Sequence, residues 1–326
     1  MSDRDVAVPP EAGVPVAGAR AGRPRPPLAA VRPRRGERVV VALLAACTTV
    51  SVAATVAIVA SLLVPTVAFF DQVSPVEFLT GTDWLPARPD PAFGVLPIVV
   101  ATLHVVVWSL LVGVPVGLLS AIWLAEYASD RFRRVAKPAL ELLAGIPTVA
   151  VGLFALLFLR PLAQTLLPFL PWSGPFSIGV AGVAVGLLTI PLVASVSDDA
   201  LRAVPASLRE AGYALGAGKR AVSLRVVVPA AVSGIVASVV LAASRAVGET
   251  MVVLLAAGAN PDLTFDPTRS ALPMTAYIAH SATGEISTGT VQYYSIFAVG
   301  SLLFVMTLVM NAVAVRLVRR FREVYE

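Results

Sequence analysis

Six long apolar runs constrain this chain more than any other feature of its sequence. They are Val39–Phe70, Phe93–Ala125, Leu142–Leu159, Gly174–Ser197, Val226–Ala259 and Gly289–Val315. A helix needs ~20 apolar residues to cross the bilayer core, and each run is near or above that length. Because lipid offers no partner to backbone N–H and C=O groups, a single apolar segment crosses only as a helix. The sequence therefore predicts an all-α polytopic membrane protein with six transmembrane helices.

The segment before the first run has a different composition. Residues 1–38 are rich in Pro, Gly and Arg and show no apolar period, a pattern typical of disordered chains. The run that follows is much longer than the ~7–15-residue core of a signal peptide. We predict a disordered basic tail over 1–38, an uncleaved first transmembrane helix, and a membrane domain over 39–322.

Basic residues concentrate in particular segments between the runs. All but four of the 25 Lys and Arg residues lie in 1–38, 131–137, 202–225 or after the last run. The other four are Arg88, Arg160 and Arg269 in the opposite loops, and Arg245 inside a run. The positive-inside rule places both termini in the cytoplasm, so the tail over 1–38 is predicted to be cytoplasmic. The net charge of +5 is then a topology signal and not a sign of nucleic-acid binding.

Few residues suit metal or redox chemistry. Cys47 is the single cysteine, and the two histidines, His104 and His280, are far apart in the sequence. We predict no intrachain disulfide and no metal site. Small-residue spacings of the Gly-x-x-x-Gly type occur at Gly113/Gly117 and Gly182/Gly186, and they favour close helix packing.

Two charged residues, Arg245 and Glu249, lie inside the fifth apolar run. A charge at membrane depth costs at least ~2.5–3.5 kcal/mol and is kept where it is paired or faces a polar cavity. The spacing of four residues predicts that both side chains share one helix face. The favoured interpretation is an anion or proton site on a translocation path. The alternative is a self-neutralising pair that locks helix packing.

The segment before the fifth run carries a spaced motif. Glu210, Ala211, Gly212 and Gly216 are followed after nine residues by Val226-Val227-Val228-Pro229. This pattern resembles the "EAA" signature of bacterial ABC importer permeases, E-A-A-x3-G-x9-I-x-L-P, with Gly212, Val226 and Val228 as the departures. The resemblance implies that about 200–225 contains a coupling helix that docks into an ATPase subunit, with Glu210, Ala211, Gly212, Gly216 and Pro229 as its signature residues.

A nearby stretch superficially resembles a phosphate-binding loop. Gly216-Ala217-Gly218-Lys219-Arg220 has the end of that motif but lacks its first Gly, at Tyr213, and its Ser or Thr, at Arg220. No predicted strand precedes it. We therefore predict no cofactor on this chain, which is not itself an enzyme; ATP and Mg would bind a partner ATPase.

Four further stretches narrow the family. They are Phe78–Pro86, Ala121–Ala128, Glu141–Thr148 and Arg245–Met251. Together they resemble the permease subunits of bacterial phosphate ABC importers, and the first and last stretches are closer to the PstC-type subunit than to its PstA-type partner. The resemblance covers roughly 39–322 and implies the type I ABC importer fold.

The resemblance also implies partners and site residues. A PstC-like subunit works in the bacterial cytoplasmic membrane with a second, PstA-like permease, an ATPase dimer and an external phosphate-binding protein. In that family the residues matching Arg245 and Glu249 are tied to transport of inorganic phosphate. Thr148 and Thr250 could add hydroxyl donors to the path, although bonding to their own helix backbone is the commoner use of such residues.

Competing functions remain at this point. The substrate could be another oxyanion such as sulfate or molybdate, because a guanidinium binds all of them. An ion-coupled secondary anion transporter would need more intramembrane ionisable residues and usually an internal repeat, neither of which is evident. A membrane protein without a transport role would leave Arg245 unexplained.

Overall fold

The computed structural model describes residues 35–284 and 286–320, and these residues are mainly helical. The helices are α1 Arg35–Phe70, α2 Pro75–Thr80, α3 Leu96–Ile122, α4 Asp130–Leu143, α5 Thr148–Phe154, α6 Arg160–Leu166, α7 Ile178–Ala203, α8 Ala206–Ala214, α9 Lys219–Val222, α10 Val228–Ala230, α11 Val232–Val247, α12 Met251–Ala256, α13 Met274–Thr283 and α14 Val291–Arg320. Short π-helical segments continue α3, α5 and α9; they are Trp123–Tyr127, Ala155–Leu159 and Ser223–Val227. Strands β1 Trp84–Leu85 and β2 Ala92–Phe93 form one antiparallel pair.

The chain divides into two compact units, and the boundary lies after Val56. The described part of the first unit, residues 35–56, is the beginning of α1. The second unit contains every later element. The predicted disordered tail lies outside the described residues except for 35–38, which are helical.

Five described helices are long and apolar enough to span a membrane. They are Arg38–Phe70, Leu96–Tyr127, Thr148–Leu166, Ile178–Ala203 and Val291–Arg316. A sixth span results if Lys219–Ala230 and Val232–Val247, which meet at a bend of 69°, are counted as one. The predicted all-α membrane fold is confirmed.

The bounds predicted for the third span, Leu142–Leu159, are wrong. The observed span is Thr148–Leu166, and Leu142 and Leu143 end the separate amphipathic helix α4. Pro147 explains the boundary, because a proline disfavours helical geometry at the residue before it. Arg160, predicted to lie in a loop, is inside this span and is only 5% exposed. Its guanidinium donates to the Gly174 carbonyl at 2.8 Å.

The apolar run Val226–Ala259, predicted as the fifth span, is not one regular helix but is broken twice. The first break is at Ala231 between α10 and α11, two residues after Pro229. Proline lacks an N–H donor and its ring clashes with the preceding turn, so a helix bends near it. The second break covers 248–250, between α11 and α12.

Helices α3 and α7 form the most extensive helix pair in the described chain. Their contact uses the predicted small-residue faces. A Cβ added at Gly186 would lie 2.9 Å from the Ser109 carbonyl oxygen, and one at Gly182 would lie 2.6 Å from Trp108 Cβ. On the facing helix, Gly113 packs against Thr189 and Gly117 against Val193. The prediction of close packing at both glycine pairs is confirmed.

An aromatic cluster joins the end of α1 to the segments that follow it. The rings of Phe69, Phe78, Trp84, Phe93 and Tyr277 meet edge to face, with centroids 4.9–6.3 Å apart. This edge-to-face geometry is preferred because the positive edge of one ring meets the negative face of the next. The cluster fixes α2, the strand pair and α13 at one end of the helices.

We predict that Gly186→Ala destabilises the protein by ~1–3 kcal/mol, because the added methyl group overpacks the α3–α7 contact. Gly300→Ala on α14 is the matched control, since its added Cβ would lie 3.4 Å from its nearest neighbour, Leu62 Cδ2. Thermal unfolding in detergent measures both variants. Equal melting temperatures would contradict the packing role of Gly186.

Candidate functional site

The break between α11 and α12 places Glu249 outside a regular helix. Helix α11 ends at Val247, so the predicted shared helix face of Arg245 and Glu249 is wrong. Glu249 is 8% exposed, and its Oε1 accepts the Val252 N–H at 3.4 Å. Its backbone carbonyl accepts the Thr275 hydroxyl at 2.7 Å. Irregular backbone within a membrane is tolerated where protein buries it or a water-filled cavity adjoins it, and here α13 supplies a partner.

Arg245 lies in the last turn of α11 and is partly exposed. Leu241 and Gly248, four residues before and three after it, are both exposed, whereas Ala246 and Val247 are buried. Arg245 therefore lies on the more exposed side of α11. Among the described residues Arg245 forms no ion pair within 4.0 Å, with Glu249 or with any other carboxylate.

The two threonines flank the same region. Thr250 Oγ1 donates to the Gly248 carbonyl at 3.2 Å. Bonding to the local backbone was the alternative to a role for this hydroxyl in the translocation path. Thr148 begins α5, which packs against α12, and a Cβ added at Gly152 of α5 would lie 3.1 Å from the Met251 carbonyl. Thr148 and Thr250 therefore lie at the starts of α5 and α12, two helices that pack against each other.

The motif segment forms a helix, a turn and a second helix. Glu210, Ala211 and Gly212 lie on α8, and Gly216 forms the turn with φ +78°, a conformation that favours glycine. Glu210 and Ala211 are exposed, and Leu215 at the turn is 90% exposed. Gly212 faces Val222 of α9, so this small residue packs against the same chain and not outward.

An ion pair that the sequence did not predict attaches this segment to the second span. Arg209 of α8 donates to Glu126 Oε1 from Nη2 at 3.1 Å, and the Glu126 side chain is 5% exposed. The same guanidinium donates to the carbonyls of Leu201 and Val204. Ser223 Oγ lies 3.5 Å from Glu126 Oε2. One carboxylate therefore joins the end of α3, α8 and the start of the fifth span.

A second unpredicted cluster attaches α4 to α7. Arg133 donates to Asp198, whose side chain is 1% exposed, and Lys137 pairs with both Asp198 and Asp199. The spacing of Arg133 and Lys137 by four residues on an amphipathic helix was the available signal. Their partners lie more than 60 residues later, and no local pattern connects them.

Comparison with known proteins identifies the family of the chain. Residues 113–323 match the family described as "Binding-protein-dependent transport system inner membrane component". The chain belongs to this family. Its matched region begins within α3 and includes the α8 motif, both breaks of the fifth span, and α14.

Similar members of the family come from several bacteria. The chain is 34% identical over 268 residues to the "Probable ABC transporter permease protein YqgH" of Bacillus subtilis, covering 81% of this chain and 85% of that one. It is 32% identical over 254 residues to the "Phosphate transport system permease protein PstC" of Mesorhizobium japonicum, covering 73% and 76%. Both alignments include most of each protein.

Solved structures support the fold of this family member. A bacterial alginate ABC transporter chain superposes with a TM-score of 0.59 at 17% identity, covering 85% of this chain and 94% of that one. A MetNI methionine ABC transporter chain gives 0.51 at 18% identity, covering 71% and 95%. The chain therefore has the type I ABC importer permease fold.

We predict that Glu126→Gln destabilises the α8 segment by ~3 kcal/mol. Removing one partner of a buried ion pair costs ~3–5 kcal/mol, and the two carbonyl bonds of Arg209 favour the lower end of that range. Trypsin cleavage at Lys219 and Arg220 should then become faster than in the wild type.

The control is Glu141→Gln, which removes an exposed carboxylate on α4. A double variant, Glu126→Gln/Arg209→Gln, should be less destabilised than the sum of the single variants. Unchanged cleavage in Glu126→Gln would show that the ion pair does not hold the segment.

Proposed function

We propose that this chain is the channel-forming permease subunit of an ATP-driven importer of inorganic phosphate. The observation that carries the proposal is the similarity, over about three quarters of the chain, to permeases named for phosphate transport. Family membership and an exposed helix–turn suited to a partner support the same conclusion. The chain would conduct the anion, and ATP hydrolysis would take place on another subunit.

The proposal includes a set of partners and a location. An ATPase dimer with bound ATP and Mg would contact the α8 segment, a PstA-like second permease would complete the path, and an external phosphate-binding protein would deliver the anion. The chain would lie in the bacterial cytoplasmic membrane as a multi-pass protein. Both termini would be cytoplasmic, because the basic segments lie on that side.

The position of Arg245 suggests where the path runs. A permanently charged side chain on an outward helix face would meet hydrocarbon if the subunit were alone, and that contact is costly. A second permease against the Arg245 face of α11 would replace lipid with protein and water. The path for phosphate would then follow this interface, where a guanidinium can bind a tetrahedral oxyanion through paired N–H donors.

Glu249 would act beside the path without forming a fixed ion pair with Arg245. Its carboxylate caps α12, and its backbone is bonded to Thr275, so the residue is held at the break. A negative charge near the guanidinium would weaken the hold on phosphate and so favour its release. Thr148 and Thr250, at the starts of α5 and α12, would contribute hydroxyl donors to the path.

The α8 segment would transmit movement of the ATPase to the membrane helices. Leu215 at the turn offers an apolar contact to a partner, and Glu210 and Ala211 are accessible on the adjoining helix. Movement of α8 would pass through Arg209 to Glu126 at the end of the second span. It would also pass through the Gly212–Val222 contact to the fifth span, which carries Arg245.

Other oxyanions are the main alternative substrates. Sulfate and molybdate share the tetrahedral shape, and Arg245 alone does not distinguish them. The complex of this chain, a second permease and the ATPase, reconstituted in liposomes with the binding protein, tests the proposal directly. Phosphate should stimulate ATP hydrolysis and enter the lumen, whereas stimulation by sulfate or molybdate instead of phosphate would replace the proposed substrate.

We predict that Glu210→Lys and Gly216→Val reduce coupling without preventing membrane insertion. The first reverses an exposed charge on the docking helix, and the second forces a branched side chain into a positive-φ position. Phosphate uptake per ATP hydrolysed should fall in both variants. Glu141→Lys is the charge control, and Gly216→Asn should be milder because Asn tolerates this conformation. Wild-type coupling in both test variants would remove α8 from the ATPase interface.

We predict that Arg245→Gln lowers phosphate uptake per assembled complex by roughly a hundredfold, since ~3 kcal/mol of lost anion stabilisation corresponds to that factor. Gln keeps much of the length and hydrogen bonding but removes the charge. Glu249→Gln should impair uptake less, because the guanidinium remains. Uptake of labelled phosphate, normalised to the amount of assembled complex, measures both variants.

The double variant Arg245→Gln/Glu249→Gln separates a path role from a packing role. A packing ion pair predicts that single variants lose assembly and that the uncharged double variant recovers assembly and uptake together. A path role predicts normal assembly and low uptake in the double variant. Near-normal uptake by the double variant would therefore exclude Arg245 from the path.

A further inference from the structure

A pocket at the start of α9 is lined by basic residues and by no acidic residue. Its volume is about 570 Å³, and it is lined by Gly218, Lys219, Arg220, Ala221, Leu224 and Arg225. The three cations are exposed, and among the described residues none of them takes part in an ion pair. Three nearby basic residues do bind carboxylates, and all of them lie outside this pocket. They are Arg133, Lys137 and Arg209.

The three cations lie on a helix that is anchored to the protein core. The backbone of 219–230 is helical throughout and includes the π-helical segment Ser223–Val227. Buried Val222 and Val227 fix one face of this helix to the protein core. Lys219, Arg220 and Arg225 are exposed on this anchored helix and line the pocket, and the Lys219 ammonium lies 5.0 Å from the centroid of the Tyr127 ring.

We propose that Lys219, Arg220 and Arg225 form a binding site for a phosphate group, carried either by an anionic phospholipid or by free inorganic phosphate. Two guanidinium groups offer planar pairs of N–H donors that match phosphate oxygens, and the ammonium adds a compact charge. Ala221 and Leu224 give the pocket an apolar wall next to the cations. This combination suits a group at the boundary between lipid and water.

The site adjoins the proposed coupling turn. Lys219 lies three residues after Gly216, which forms the coupling turn. Arg225 lies four residues before Pro229, close to the bend of the fifth span. A bound anion would hold the start of this helix in place and stabilise the orientation of the turn relative to the span. The cytoplasmic position of the pocket rests on the proposed function, but the presence of an anion site does not require that phosphate be the transported substrate.

The test uses the complete permease–ATPase complex without the external binding protein. One arm measures retention of phosphatidylglycerol in a phosphatidylcholine background by native mass spectrometry. The other arm measures inorganic phosphate binding by titration in phosphatidylcholine nanodiscs, with chloride as the background anion. The pocket variant is Lys219→Gln/Arg220→Gln/Arg225→Gln, and the control is Arg131→Gln/Arg134→Gln/Arg202→Gln, which removes the same charge from other exposed positions.

We expect affinity for the phosphate group to fall about fivefold for each cation removed and roughly a hundredfold for the triple pocket variant. The control should keep wild-type affinity, and both variants should keep the wild-type melting temperature because all six side chains are exposed. A loss confined to phosphatidylglycerol identifies a lipid site, and a loss confined to inorganic phosphate identifies a free-anion site. If the pocket and control variants are equal in both arms, or if the pocket variant loses only ATPase assembly, the proposal is wrong.

Discussion

The absence of water from the bilayer core decides where this chain can break a helix or carry a charge. A free backbone group or an unpaired charge costs several kcal/mol in hydrocarbon. The chain nevertheless breaks its fifth span at Ala231 and again at 248–250, and it carries Arg245 and Glu249 at the second break. The protein supplies bonds there from Thr275 and Val252, so the irregular backbone is partly satisfied within the chain. Arg245 lacks a carboxylate partner within the described residues, and that asymmetry is the physical basis of the proposed path.

The rigid part of the molecule contrasts with this broken span. Glycines on α3 and α7 bring two helix backbones into direct contact, and they leave no room for even one methyl group. We expect helices packed in this way to move as a unit, because interior packing has few voids to absorb a displacement. The α8 segment is attached to this pair through Glu126, in the π-helical segment that continues α3, and through carbonyls at the end of α7. In the proposed importer, movement of α8 would therefore act on this pair and on the bent span together.

The sequence predicted features that depend on local pattern and missed features that depend on distant partners. Apolar length was enough to predict the helical membrane fold, and the glycine spacings were enough to predict the α3–α7 contact. The resemblance of Glu210 to Gly216 to a family motif was enough to predict a helix there, and this segment forms α8 and its turn. The Glu126–Arg209 ion pair was missed because 83 residues separate its partners. The shared face of Arg245 and Glu249 was wrongly predicted, since an apolar run does not reveal that Gly248 ends the helix.

The structure also separates two kinds of cation by their surroundings. Arg133, Lys137 and Arg209 have carboxylate partners within the chain, and they join one helix to another. Arg245, and the group Lys219, Arg220 and Arg225, have no such partners among the residues that the structure describes. A cation without a counter-charge raises the local potential and attracts anions. In the proposed importer, one unpaired site lies within the membrane and the other lies beside the coupling turn. An anion leaving the first site would therefore enter a region whose potential the second site makes positive.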